Sequence, residues 1–184
     1  MIADISRSMV VLVDIQEKLA GAMPKEVINK IVKRCELIAR LSKLEDIPII
    51  VTEQYPKGLG KTLSIMNQFL GDATFIEKST FSCMSDPAFK SKLIKSRDQV
   101  ILAGMEAHIC ITQTALDLIQ EGKTVFILED AIVSRNILNK QNALNRMRDA
   151  GCIISNTESV VFEWLHSADN ENFKAIASLI KDID

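Results

Sequence analysis

The chain is short of the features that mark several specialised classes of protein. It has no basic block: 22 Lys and Arg stand against 24 Asp and Glu, a formal charge of −2. An extended nucleic-acid or anionic-membrane surface therefore has no electrostatic footprint. No stretch approaches the ~18 uninterrupted apolar residues of a membrane span. The amino terminus enters a strand pattern almost at once, without the charged-then-apolar leader of a secreted protein. Cys35, Cys83, Cys110 and Cys152 lie far apart, with neither a Cys-x-x-Cys pair nor zinc-ligand spacing. That spacing fits a reducing, cytoplasmic setting. No Gly-x-Gly-x-x-Gly or Walker loop follows any apolar run, so nucleotide binding lacks its usual phosphate cradle.

What is present is an alternation of short apolar runs and helical periodicities. The 184 residues, 47% hydrophobic and 25% charged, suit one domain spanning residues 1–184 with a sizeable core. Met9-Val-Val-Leu-Val-Asp14 reads as a central parallel strand ending in an acid. Pro24 then opens a helix whose apolar positions, Val27, Ile28, Ile31, Val32, Cys35, Ile38 and Ala39, recur every three or four residues. Ile47-Pro-Ile-Ile-Val-Thr52 is the second strand, and Glu53 to Gly60 has a loop composition. A short helix is expected from Ser64 to Leu70, a third strand at Thr74-Phe-Ile-Glu-Lys78, and a helix from the Ser85-Asp-Pro87 signal to Ile94. Strands follow at Val100, Thr124 and Gly151, with helices after the first two of them and a helical tail from Asn170 to Ile180. Six such units predict an α/β fold: a three-layer, doubly wound, six-stranded, mostly parallel sheet with helices on both faces.

In such sheets the site lies at the carboxyl ends of the strands. The run Val100-Ile-Leu-Ala-Gly-Met-Glu-Ala-His-Ile-Cys110 places a cysteine where a helix begins, and an exposed thiol there would be biased toward thiolate. Burial as a small hydrophobe is the competing reading of Cys110. The first strand delivers Asp14 to the same edge and the third delivers Lys78. Nucleophile, base and cation together are what thiol-based acyl transfer needs. His108 is a poor substitute base, because residues two apart in a helical turn diverge, and His166 has no partner visible in the sequence.

Val-Asp14-Ile-Gln16, Glu77-Lys78-x-x-Phe81-Ser82 and Gly104-Met-Glu-Ala-His-Ile-Cys110 resemble, in order and spacing, the three motifs of the isochorismatase-like cysteine hydrolases. Gly-Met-Glu-Ala-His-Ile-Cys and Leu-Glu-Asp-Ala-Ile-Val-Ser-Arg135 are closest to the small isochorismatase-domain proteins of undefined substrate. The resemblance implies a catalytic triad of Asp14, Lys78 and Cys110. In it Asp14 takes the thiol proton, Lys78 holds the charges, and Cys110 forms a thioester. It also implies a cis peptide at Met105–Glu106 and an oxyanion hole from the backbone amides of Glu106 and Cys110. Homo-oligomers are the expectation from the same source.

The chain departs from two branches of that family. Isochorismatases proper usually carry glycine where Cys110 stands. Nicotinamidases carry an Asp-x-His…His metal site after the second strand, whereas Thr52-Glu-Gln-Tyr-Pro-Lys-Gly-Leu-Gly60 has no histidine, so no metal and no other cofactor is expected. Gln16, Tyr55 and Phe81 are candidate substrate-binding residues, with turn capping or packing as their plainer roles. The resulting expectation is a metal-independent hydrolase of an amide or related acyl bond in a small molecule. The alternatives are an idle binding protein that keeps the triad as a polar network, and a thiol redox sensor using Cys110 with Cys83.

Overall fold

The computed structural model describes residues 1–181. Six parallel strands form one sheet: β1 (Ser8–Val13), β2 (Ile49–Gln54), β3 (Thr74–Lys78), β4 (Gln99–Met105), β5 (Thr124–Val133) and β6 (Ile153–Ser155). Their order is β3-β2-β1-β4-β5-β6, all pairs parallel. The chain winds outward in both directions from the β1–β4 junction, and that reversal opens a crevice at the carboxyl ends of the two strands.

The strands are apolar on both faces because both faces are covered. Val10 and Leu12 of β1, Ile101 and Ala103 of β4, and Phe126 and Leu128 of β5 enter one core. Their neighbours Met9, Val11, Val100, Leu102, Val125 and Ile127 enter the other, the period-two alternation of a pleated strand. The first core is closed by α2 (Lys25–Leu44), α7 (Thr157–Leu165) and α8 (Phe173–Ile180). The second is closed by α4 (Pro87–Lys92), α5 (Thr112–Gln120) and α6 (Ile137–Asp149). Short helices α1 (Glu17–Gly21) and α3 (Pro56–Leu59) and 3₁₀ turns at Ser64–Gln68 and Cys83–Ser85 fill the connections.

Local chemistry accounts for the boundaries. Pro24 precedes α2, which carries Glu26 in its first turn and Lys43 in its last, as the helix dipole favours. Asp86 caps α4 by accepting from the amides of Ala88 and Phe89, with Pro87 at the first position. Asn136 and Asn156 cap α6 and α7 in the same way. The second strand differs from expectation: it starts after Pro48 and runs on through Glu53 and Gln54, which pair with Glu77 and Lys78 of β3. Those two polar residues extend as strand because β3 supplies their ladder. Helix α7 was not foreseen; its Val160, Val161, Trp164 and Leu165 pack into the first core, and the Trp164 indole donates to Ser8 Oγ at 3.0 Å.

Candidate active site

The strand registers bring three sequence-distant segments level. Val13 lies beside both Thr52 and Gly104, and Gln54 lies beside Lys78. Gly104, at φ +120°, allows β1 and β4 to meet closely, since any Cβ there would run into the Val13 carbonyl. Asp14, the next residue of β1's path, takes the left-handed conformation at φ 52°, which aspartate tolerates better than most residues. Its amide donates to the Thr52 carbonyl at 3.1 Å and its own carbonyl accepts from the Gln16 amide at 2.8 Å.

Lys78 donates to Asp14 Oδ2 at 2.7 Å, and both side chains are completely buried. The ammonium also donates to Gln54 Oε1 at 2.8 Å and to the Thr80 carbonyl at 3.2 Å. Thr52 Oγ1 donates to Asp14 Oδ1 at 2.7 Å. Burial acts most strongly on Lys78 and by itself would lower its pKa, but the charge and hydrogen bond of Asp14 together with Cys83 and Cys110 outweigh it, and the group is held above its ordinary 10.5. Thr52 and Gln54 had no assigned role in the sequence. The available signal was two polar residues spaced two apart where a strand ends.

Cys110 sits not in the first turn of a regular helix but inside a π-helical turn, Ala107–Ile111, with α5 starting at Thr112. Such turns often mark functional positions. The exposed, acidified thiol expected from the sequence is corrected on two counts. Cys110 is only 5% exposed, and its pKa is pushed up: burial is the main cause, the Asp14 charge adds to it, and Lys78 opposes it. Asp14 and Lys78 both lie close enough to the thiol to act on its ionisation. The arrangement is a buried thiol near a carboxylate whose counter-ion is a buried ammonium. Cys83, also buried, lies with its Sγ 3.9 Å from Thr52 Oγ1, and burial raises its thiol to about 11.

The Met105–Glu106 peptide is cis. The Glu106 carboxylate faces away toward the β5–α6 connection, accepting from the Arg135 amide at 2.9 Å and the Arg135 Nε at 3.1 Å. His108 Nδ1 pairs with Ser134 Oγ at 2.9 Å rather than with the thiol. Gln16, a substrate-binding candidate, is fully buried. Its Nε2 donates to the carbonyls of Gln54 and Gly60 and its Oε1 accepts from the Gln54 amide, so it ties the segment after β1 to β2. Tyr55 and Phe81 flank the Lys78 region and are 59% and 55% exposed. The Tyr55 ring lies directly over Gly58, where any Cβ would overlap it. Among the described residues no group of three or more His, Cys, Asp or Glu is placed to hold a metal ion, and no helix is long and apolar enough to cross a membrane.

Comparison with known proteins identifies the family. Residues 8–159 match the model of the isochorismatase domain. Isochorismatase family protein 1B of Dictyostelium discoideum is 33% identical over 173 residues, covering 91% of this chain and 83% of that protein. The secreted isochorismatase effector Isc1 of Phytophthora sojae is 33% identical over 181 residues, covering 95% and 85%. The structure of the MAR1 ribonuclease of Caenorhabditis elegans superposes with a TM-score of 0.91 at 32% identity, over 98% of this chain and 93% of its own. The chain belongs to the isochorismatase family, with the hydrolase fold of that family.

Proposed function

We propose that the protein hydrolyses an amide or related acyl bond of a small molecule through a thioester on Cys110. The observation that supports this reading is the fully buried ion pair of Asp14 with Lys78, both of whose charges act on the nearby buried Cys110 thiol. A thiol held above its ordinary pKa is a poor nucleophile until a base takes its proton, and Asp14 is the proposed base. As sulfur bonds to the carbonyl carbon, the proton passes to Asp14 and the carbonyl oxygen gains the negative charge. The backbone amides of Glu106 and Cys110 are the proposed donors to that oxygen. Collapse breaks the bond to the leaving amine, which takes the proton from Asp14. Asp14 then draws a proton from water as it attacks the thioester, releasing the acid and the thiol. Lys78 keeps Asp14 charged throughout.

No metal ion enters this scheme: Thr52, Glu53, Gln54 and Tyr55, at the end of β2, offer neither imidazole nor thiolate. Burial of Cys110 weighs against the redox-sensor alternative, which needs an accessible thiolate. Four free, buried cysteines fit a reducing compartment. Ile137 and Leu138, 61% and 66% exposed, support self-association into a homo-oligomer, which light scattering would check.

The test is a panel of small amides, ureas and esters, with a short RNA for comparison, offered to the native protein and Cys110→Ala. Turnover with a trapped acyl adduct on the native protein alone is the expected result. Turnover that survives in Cys110→Ala would overturn the reading.

A further inference from the structure

We propose that Thr52 and Gln54 are positioning residues that fix the Asp14–Lys78 pair, so that Lys78 acts on Cys110 through its charge alone and donates no hydrogen bond to a ligand. This rests on Cys110 being the reacting group.

The argument is a count of donors and acceptors. A lysine ammonium has three N–H groups, and Lys78 spends them on Asp14 Oδ2, Gln54 Oε1 and the Thr80 carbonyl, with the Phe81 carbonyl at 3.4 Å sharing the last. Gln54 cannot be turned the other way round. Its Nε2 donates to the Ser79 carbonyl at 2.8 Å, so its oxygen must face the ammonium. Its backbone is held in turn by Gln16. Thr52 does the matching work on the carboxylate: its hydroxyl donates to Oδ1 while Lys78 donates to Oδ2, so both oxygens are anchored and the carboxylate plane is set. The Thr52 oxygen faces Cys83 Sγ on its other side, which directs the hydroxyl hydrogen toward Asp14. Thr52 and Gln54 are two apart on β2 and share a face. One strand thus sets both members of the pair.

A hydrogen bond from Thr52 draws charge on Asp14 away from the thiol, and Gln54 keeps the ammonium where it opposes that charge. The titratable groups acting on Cys110 are Asp14 after β1, Lys78 at the end of β3 and Cys83 in the turn beyond it. Loss of either positioning residue should therefore make Cys110 harder to ionise.

The experiment measures the rate of Cys110 alkylation by iodoacetamide against pH, resolved by peptide mass spectrometry, with Cys35 and Cys152 as internal controls. It compares the native protein, Thr52→Val, Thr52→Ser and Gln54→Leu, each checked for native circular dichroism. The expected result is an alkylation rate about tenfold lower than native at each pH from 7 to 9, where the fold is intact, in Thr52→Val and Gln54→Leu, with Thr52→Ser matching the native profile. Native profiles in Thr52→Val and Gln54→Leu, or a Thr52→Ser profile displaced as far as Thr52→Val, would overturn the proposal. If Thr52→Val does not fold, Gln54→Leu decides by the same criterion. The readout needs no substrate, so an unsuccessful substrate panel and a failed positioning role give different results.

Discussion

The two halves of the sheet's carboxyl edge are built differently. On the β1–β2–β3 side the groups are buried and strand-anchored: the Asp14 and Lys78 side chains expose nothing, and besides bonding each other they take partners from β2 and the turn after β3. On the β4–β5 side they sit in turns. Cys110 occupies a π-helical turn, His108 is half-buried, and Glu106 holds an Arg135 side chain that is 59% exposed. The first half fixes a charge distribution by sheet register; the second carries Cys110, the proposed nucleophile, on a π-helical turn. Stability should therefore reside mainly in the first half and reactivity in the second.

Raising the pH should erase the difference, and it carries the largest expected effect. Burial raises the Cys35 and Cys83 thiols from 9.0 to about 12 and about 11. The folded state keeps protons that the unfolded chain gives up above 9, so this stability is complete below pH 9 and lost as pH rises through 11–12. Each pH unit in that window costs about 1.4 kcal/mol per thiol. Lys78, also raised, acts in the same direction above 10.5. Thermal midpoints recorded from pH 8 to 11 should fall steeply from pH 9; a flat profile would contradict the burial.

Lys78→Met attacks the strand-anchored half alone. It leaves the Asp14 charge buried and unpaired, and should cost about 3–5 kcal/mol in urea unfolding. Adding Asp14→Asn should recover part of that loss, because the uncompensated charge is then gone; strict additivity would argue against a coupled pair.

Glu106→Gln tests the other half. It weakens the link to Arg135, but with that guanidinium in solvent the cost should be about 1 kcal/mol. Cys110→Ala is the smallest in stability, less than about 1 kcal/mol, while abolishing turnover and adduct formation. A Cys110→Ala protein destabilised as much as Lys78→Met would break the division between the halves.

Much of this arrangement could be read from the residues. The apolar runs ending in Asp14 and Lys78 and the turn leading to Cys110 are local signals, and parallel topology carries all three to one edge. The environment of Cys110 could not be read in the same way. Helix-start chemistry suggests an acidified thiol, but the desolvation that reverses it comes from residues distant in sequence. The continuation of β2 through Glu53 and Gln54 was hidden because both are polar, and only pairing with Glu77 and Lys78 makes them strand. Helix α7 was missed because Val160, Val161, Trp164 and Leu165 follow the short β6 with little turn chemistry between them beyond the Asn156 cap. Thr52 and Gln54 acquire meaning only once Asp14 and Lys78 are placed against them.

The bare backbone at Gly58 has a practical consequence. The Tyr55 ring rests where a side chain would otherwise stand, and with Tyr55 mostly in solvent a single added methyl has somewhere to push it. Gly58→Ala is thus a lever on the Tyr55 ring that leaves the buried charges alone. A set of small residues at this one position would shift the ring in steps, and any effect on the proposed acyl hydrolysis could be followed without altering Cys110.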